Sequence, residues 1–161
     1  MGNWRLPLVV AAVSLHSGSC FSSSFSLQRG GQAGSPAQPG DICRIESPMQ
    51  FEGLWDGTAQ PVTLVSYHAS WCRKCMYVGG RLRQRHEFLP EDLCENVRVA
   101  SIDVNAVAAV PTAQNIQELP TLIAYGPGGQ ELGRYVGSHR GDEFWAKVTG
   151  LLSHAMHQSQ A

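Results

Sequence analysis

Cys72 and Cys75 stand three residues apart, with Arg73 and Lys74 between them. Side chains at this spacing share one turn of a helix, so their sulfurs can meet and bond. Two such thiols can trade a dithiol for a disulfide: one thiolate attacks a disulfide in another molecule, and the second thiol resolves the mixed disulfide. The attacking species is an anion, so the pair works best at the first turn of a helix, where unpaired N–H groups and the positive dipole end favour negative charge. Arg73 and Lys74 add two cations beside Cys72. They are expected to stabilise its thiolate, and with it the reduced form, giving a more oxidising couple. A structural disulfide and half of a zinc site are the competing uses of the pair. Zinc takes about four ligands, and His68, His86 or Cys94 would have to supply the remainder without a second C-x-x-C or an H-x₃-H, so no metal is expected. His68 is expected on the far face of its strand with no part in the chemistry. Cys43 and Cys94 read as packed single thiols, with glutathionylation or disulfide formation as the regulatory alternative.

The pair can act in this way only if a strand delivers it to a helix start. Residues 62–67 (Val-Thr-Leu-Val-Ser-Tyr) are β-branched and aromatic and follow Pro61, which predicts a buried central strand. A helix is expected over residues 72–88, its basic later half (Arg81, Arg83, Arg85) forming a solvated face. Before these lie a short strand over 42–45 and a helix begun by Ser47-Pro48, with Phe51, Leu54 and Trp55 on one face. After them come a buried strand over 97–104 and a helix over 106–116 kinked at Pro111. A strand over 121–125 follows, then the turn Gly126-Pro127-Gly128-Gly129 and a strand over 131–136. An amphipathic helix over 142–154, carrying Phe144, Trp145, Val148, Leu151 and Leu152, ends the pattern. The order βαβαβαββα requires parallel pairs for the crossovers and an antiparallel pair for the Gly-rich turn. The fold class is therefore α/β, a mixed central sheet flanked by helices on both faces.

Trp71-Cys72-Arg73-Lys74-Cys75, preceded by Ala69-Ser70 and followed about 45 residues later by Glu118-Leu119-Pro120-Thr121-Leu122, resembles the thioredoxin superfamily. The Arg-Lys dipeptide and Asp103-Val104-Asn105 resemble its plastid branch of atypical thioredoxin-like proteins. The likeness spans about residues 42–153. It implies the thioredoxin fold, with Cys72 as nucleophile and Cys75 as resolving thiol. It further implies that Pro120 is a cis-proline facing the pair, that Gly137 lies beside the substrate groove, and that Trp71 is exposed next to Cys72. Leu119 would keep its backbone open to a bound peptide. Protein disulfides or thiols are the implied substrates, and a thioredoxin reductase or glutathione the electron donor. The implied protein is a monomer without a cofactor. The sequence departs from the family where a buried carboxylate six residues before the first cysteine is usual: Ser66 stands there, and the position of its lysine partner is Ser101. Losing both leaves no unpaired buried charge but removes the usual proton path to Cys75. The kink proline of the active-site helix is also missing, with Gly79-Gly80 in that region.

The 161 residues are 43% hydrophobic and 16% charged, the composition of one globular domain. A net charge of −1 offers no basic excess for a nucleic-acid backbone. The apolar run over 6–15 contains Pro7 and Ser14 and is too short to span a bilayer. Residues 1–40 hold no Asp or Glu, two arginines and eight serines, whereas 41–161 carry a net −3. Such a leader reads as a targeting presequence, with a signal-like stretch over 6–13, small residues at Ser17, Gly18 and Ser19, and a Ser/Gly/Pro-rich remainder. It predicts delivery to a plastid, with the secretory pathway as the alternative, and leaves 41–161 as the thioredoxin-like domain. A redox-inert binding module on the same fold is the reading from a different class.

Overall fold

A computed structural model describes residues 41–56 and 61–160. The chain runs β1 (Cys43–Ile45), α1 (Pro48–Glu52), β2 (Val62–His68), α2 (Arg73–Arg83), α3 (Glu91–Asn96), β3 (Val97–Asp103), α4 (Ala109–Ala113), β4 (Thr121–Tyr125), β5 (Glu131–Val136) and α5 (Gly141–Ser159). The sheet order is β1-β3-β2-β4-β5. β3 pairs in parallel with β1 and β2, while β2–β4 and β4–β5 are antiparallel. The expected mixed sheet is therefore present, with β2 at its centre.

β2 and β4 are buried on both faces, which is why they read as continuous apolar runs rather than alternating ones. On one face Val62 and Leu64 of β2 pack with Val78 and Leu82 of α2 and with Phe144, Val148 and Leu152 of α5. On the other, Val65, Tyr67, Ile123 and Tyr125 pack with Phe51, Leu54 and Val110. Each side chain lies where the two-residue period of its strand sends it. Ser47 caps α1 by accepting the Gln50 N–H at 3.2 Å, with Pro48 at the first helical position.

Three local expectations are corrected. The helix expected over 72–88 ends at Arg83, a 3₁₀ turn covers Arg85–Glu87, and a separate helix opens after Pro90. Proline lacks an N–H and fits the start of a helix, so Pro90 begins a new one instead of extending the old. The helix expected over 106–116 is the single turn Ala109–Ala113. Pro111 is its third residue, where an N–H has no helical partner in any case, so it starts the helix and does not kink it. Finally, Arg81, Arg83 and Arg85 do not form one uniformly solvated helix face. Arg81 places its guanidinium 4.3 Å from the Phe88 ring centre and 5.3 Å from that of Trp145, a cation–π site. Arg85 donates to the Leu82 and Asp41 carbonyls.

Candidate active site

The site forms where β2 ends and α2 begins. Cys72 donates its N–H to the Ala69 carbonyl at 3.1 Å, closing the turn out of the strand. Cys72 is the N-cap of α2 in extended conformation, and its Sγ accepts the Cys75 N–H at 3.2 Å. A sulfur is thus held against an unpaired helix N–H, the place where a thiolate gains most from the dipole. Cys72 and Cys75 are joined by a disulfide, with Cα atoms 5.2 Å apart. Both are buried.

The side chains around the disulfide come from three other segments. Ala69 completes a small buried cluster with the two cysteines, and Val104 and Leu119 pack against it. Leu119 and Pro120 are joined by a cis peptide bond. Gly137, with a φ of 131° open to glycine, donates its N–H to the Pro120 carbonyl at 3.1 Å. Trp71 is 73% exposed beside Cys72, and Arg73 and Lys74 are exposed on the first turn of α2. Among the described residues neither cation forms an ion pair. The structure therefore brings together the cysteine pair, Leu119, Pro120 and Gly137, with Trp71, Arg73 and Lys74 at the rim.

Below the site the sheet is uncharged where Ser66 pairs with Ser101. By the two-residue period His68 shares the face of Leu64, the face covered by α2, whereas Ala69 of the cysteine cluster lies on the opposite one. Burial lowers its pKa from the ordinary imidazole value, the charges of Arg44 and Arg83 lower it further, and Asp103 opposes them. Among the described residues the other two cysteines, Cys43 and Cys94, are half-buried and lie outside the disulfide. Burial raises the pKa of Cys94, against the pull of Arg85, and its Sγ lies 3.8 Å from the carbonyls of Arg85 and Leu89, a packed thiol with little thiolate character.

A group that sequence reasoning passed over adjoins Gly137. Tyr135, His139 and Glu143 are linked side chain to side chain, and Tyr77 of α2 reaches Gly141 at the start of α5. Their spacing of four residues was the available signal, but it crosses a strand end, a loop and a helix start, so no single periodicity contains it.

The sequence profile of the thioredoxin family matches residues 50–150. The chain is 25% identical over 125 residues to "Thioredoxin Y, chloroplastic" of Oryza sativa subsp. japonica, covering 75% of this chain and 71% of that one. It is 32% identical over 78 residues to "Thioredoxin-like protein slr0233" of Synechocystis, covering 48% and 70%. Over 89 residues it is 32% identical to "Thioredoxin Y1, chloroplastic" of Arabidopsis thaliana, covering 53% and 49%. Among solved structures, the thioredoxin of Malassezia sympodialis superposes with a TM-score of 0.60 at 19% identity, covering 77% of this chain and 99% of that one. The thioredoxin pre-protein of Schistosoma mansoni gives 0.58 at 20%, covering 70% and 96%. The expected fold is thus the observed one. The chain belongs to the thioredoxin family, resembles its plastid members, and is a thiol–disulfide oxidoreductase acting on thiol-containing proteins.

Proposed function

We propose that Cys72 is the nucleophile and Cys75 the resolving thiol of a plastid oxidoreductase. The carrying observation is the Cys72 sulfur at the N-cap of α2, bonded to Cys75 and receiving its N–H. In the reduced protein the Cys72 thiolate attacks one sulfur of a substrate disulfide. A Cys72–substrate disulfide forms and the other substrate sulfur leaves as a thiolate. Cys75 then loses its proton and attacks the Cys72 sulfur, releasing the second substrate thiol and closing the Cys72–Cys75 disulfide. Two electrons pass to the substrate. Trp71, Leu119, Pro120 and Gly137 form the groove that holds the substrate strand, and Arg73 and Lys74 raise the potential of the couple. A thioredoxin reductase or glutathione returns the two electrons.

Residues 1–40 lie outside the described residues. Their acid-free, serine-rich composition supports a plastid presequence, as do relatives named as chloroplastic.

Trapping tests the assignment of roles. With Cys20, Cys43 and Cys94 replaced by serine, Cys75→Ser should accumulate a mixed disulfide with insulin through Cys72. Cys72→Ser should accumulate none. Equal trapping by both variants, or by neither, contradicts the assignment.

A further inference from the structure

The loop that carries Gly137 to α5 begins and ends on glycines in left-handed territory, Gly137 at φ 131° and Gly141 at φ 58°. Such residues sample many conformations when nothing holds them. Yet Gly137 supplies the N–H that meets the Pro120 carbonyl, so the loop must stay in place for the groove to keep its shape.

Side chains hold it from three elements. His139, in the middle of the loop, receives a hydrogen bond at Nδ1 from, or gives one to, the Tyr135 hydroxyl at 2.9 Å. The His139 backbone N–H donates to the same hydroxyl oxygen at 3.1 Å. His139 Nε2 lies 3.3 Å from Glu143 Oε1 on the first turn of α5. In the neutral ring with its proton on Nε2 every group is satisfied at once: Tyr135 donates to Nδ1, and Nε2–H donates to Glu143. The imidazole also lies across Gly137, since a Cβ built there would be 3.8 Å from its Cε1 and Nδ1. Tyr77, two residues beyond Cys75 on α2, accepts the Gly141 N–H at 3.1 Å. The rings of Tyr135 and Tyr77 stand edge-on to buried Phe144, at 6.2 and 6.4 Å, so the base of this assembly is part of the core.

The geometry points to Tyr135 and His139 as positioning residues for substrate binding: they latch the Gly137–Gly141 loop in the form that keeps Gly137 against Pro120. This inference rests on the groove proposed above. The latch touches neither cysteine, so it acts on how tightly a protein substrate is held and not on the thiol chemistry. A loop freed of the latch must be ordered by each substrate as it binds, and affinity falls by that cost.

The test uses the full reduced chain in single turnover against insulin, with half-saturation and limiting rate read separately. Tyr135→Phe and His139→Ala should each raise half-saturating insulin about 3- to 10-fold, the scale of one lost hydrogen bond. The limiting rate and the Cys72/Cys75 potential should stay at wild-type values. His139→Asn should recover most of the affinity, because its side-chain oxygen can take the place of Nδ1 as acceptor for Tyr135. Unchanged half-saturation in both Tyr135→Phe and His139→Ala overturns the latch, as does a limiting rate that falls as far as affinity. A wild-type chain with no reversible couple instead removes the reading beneath it, and the potential measurement separates that failure from failure of the latch.

Discussion

Ser66 of β2 and Ser101 of β3 stand directly opposite one another in the parallel ladder. Ser66 is 4% exposed, so the strand that delivers the cysteine pair carries a small neutral group where a charge would need a partner. A carboxylate placed there alone would be buried beside a hydroxyl.

Ser66→Asp is therefore expected to cost about 3 kcal/mol of stability, and addition of Ser101→Lys to restore part of it. Burial raises the pKa of the new carboxyl in the folded state only, so the folded state holds its proton longer and the penalty grows as pH rises. Urea unfolding at pH 5 and pH 8 checks both points. An equal cost at the two pH values would contradict the burial argument.

His68 gives the native chain a slope of its own. Its folded pKa lies below the ordinary imidazole value, chiefly through burial. The unfolded chain thus binds a proton first as pH falls. The stability contribution is complete above the unfolded value and is lost as pH falls through the folded one. His68→Gln should flatten the dependence of unfolding free energy on pH across this window. A slope identical to wild type would show that His68 is not the group responsible.

The paired tyrosines behind the sheet offer a graded test. Tyr67 and Tyr125 hydroxyls lie 2.7 Å apart, and Tyr125 donates to Gln114 Oε1 at 3.1 Å, so Tyr67 must donate to Tyr125. Burial pushes Tyr125 up to about 12 and raises Tyr67 further. Tyr125→Phe strands the Tyr67 hydroxyl and should cost about 1–3 kcal/mol. Tyr67→Phe leaves the Tyr125–Gln114 bond intact and should cost less. The order of the two chemical-denaturation midpoints decides it.

Arg73 and Lys74 should move the potential and not the fold. Both are exposed, so their field at Cys72 is screened by salt. Replacing both with alanine is expected to make the couple more negative by on the order of 10–30 mV, with a smaller difference at high salt. A change toward a more oxidising couple would contradict thiolate stabilisation.

Much of this architecture was legible because strand and helix periods report burial directly. The bounds expected for β4 and β5 coincide with those observed, since Pro120 and the Gly126–Gly129 turn punctuate them sharply. The break after Arg83 was not legible. The arginines there looked like a solvated face, whereas Arg81 stacks on Phe88 and Trp145, and Trp145 arrives from the far end of the sequence. The cysteine pair was marked by its spacing and its place between a strand and a helix, and Trp71 and Pro120 by the resemblance to the thioredoxin superfamily. Tyr135, His139, Glu143 and Tyr77 were not, because only the fold brings α2 to the loop before α5.

A redox titration of the full chain with Cys20, Cys43 and Cys94 replaced by serine tests the central claim most directly. It should give one reversible two-electron couple at Cys72/Cys75, with a midpoint above roughly −270 mV, the value of a strongly reducing thioredoxin. A chain showing no reversible couple would not be the oxidoreductase described, and its fold would serve as a binding module.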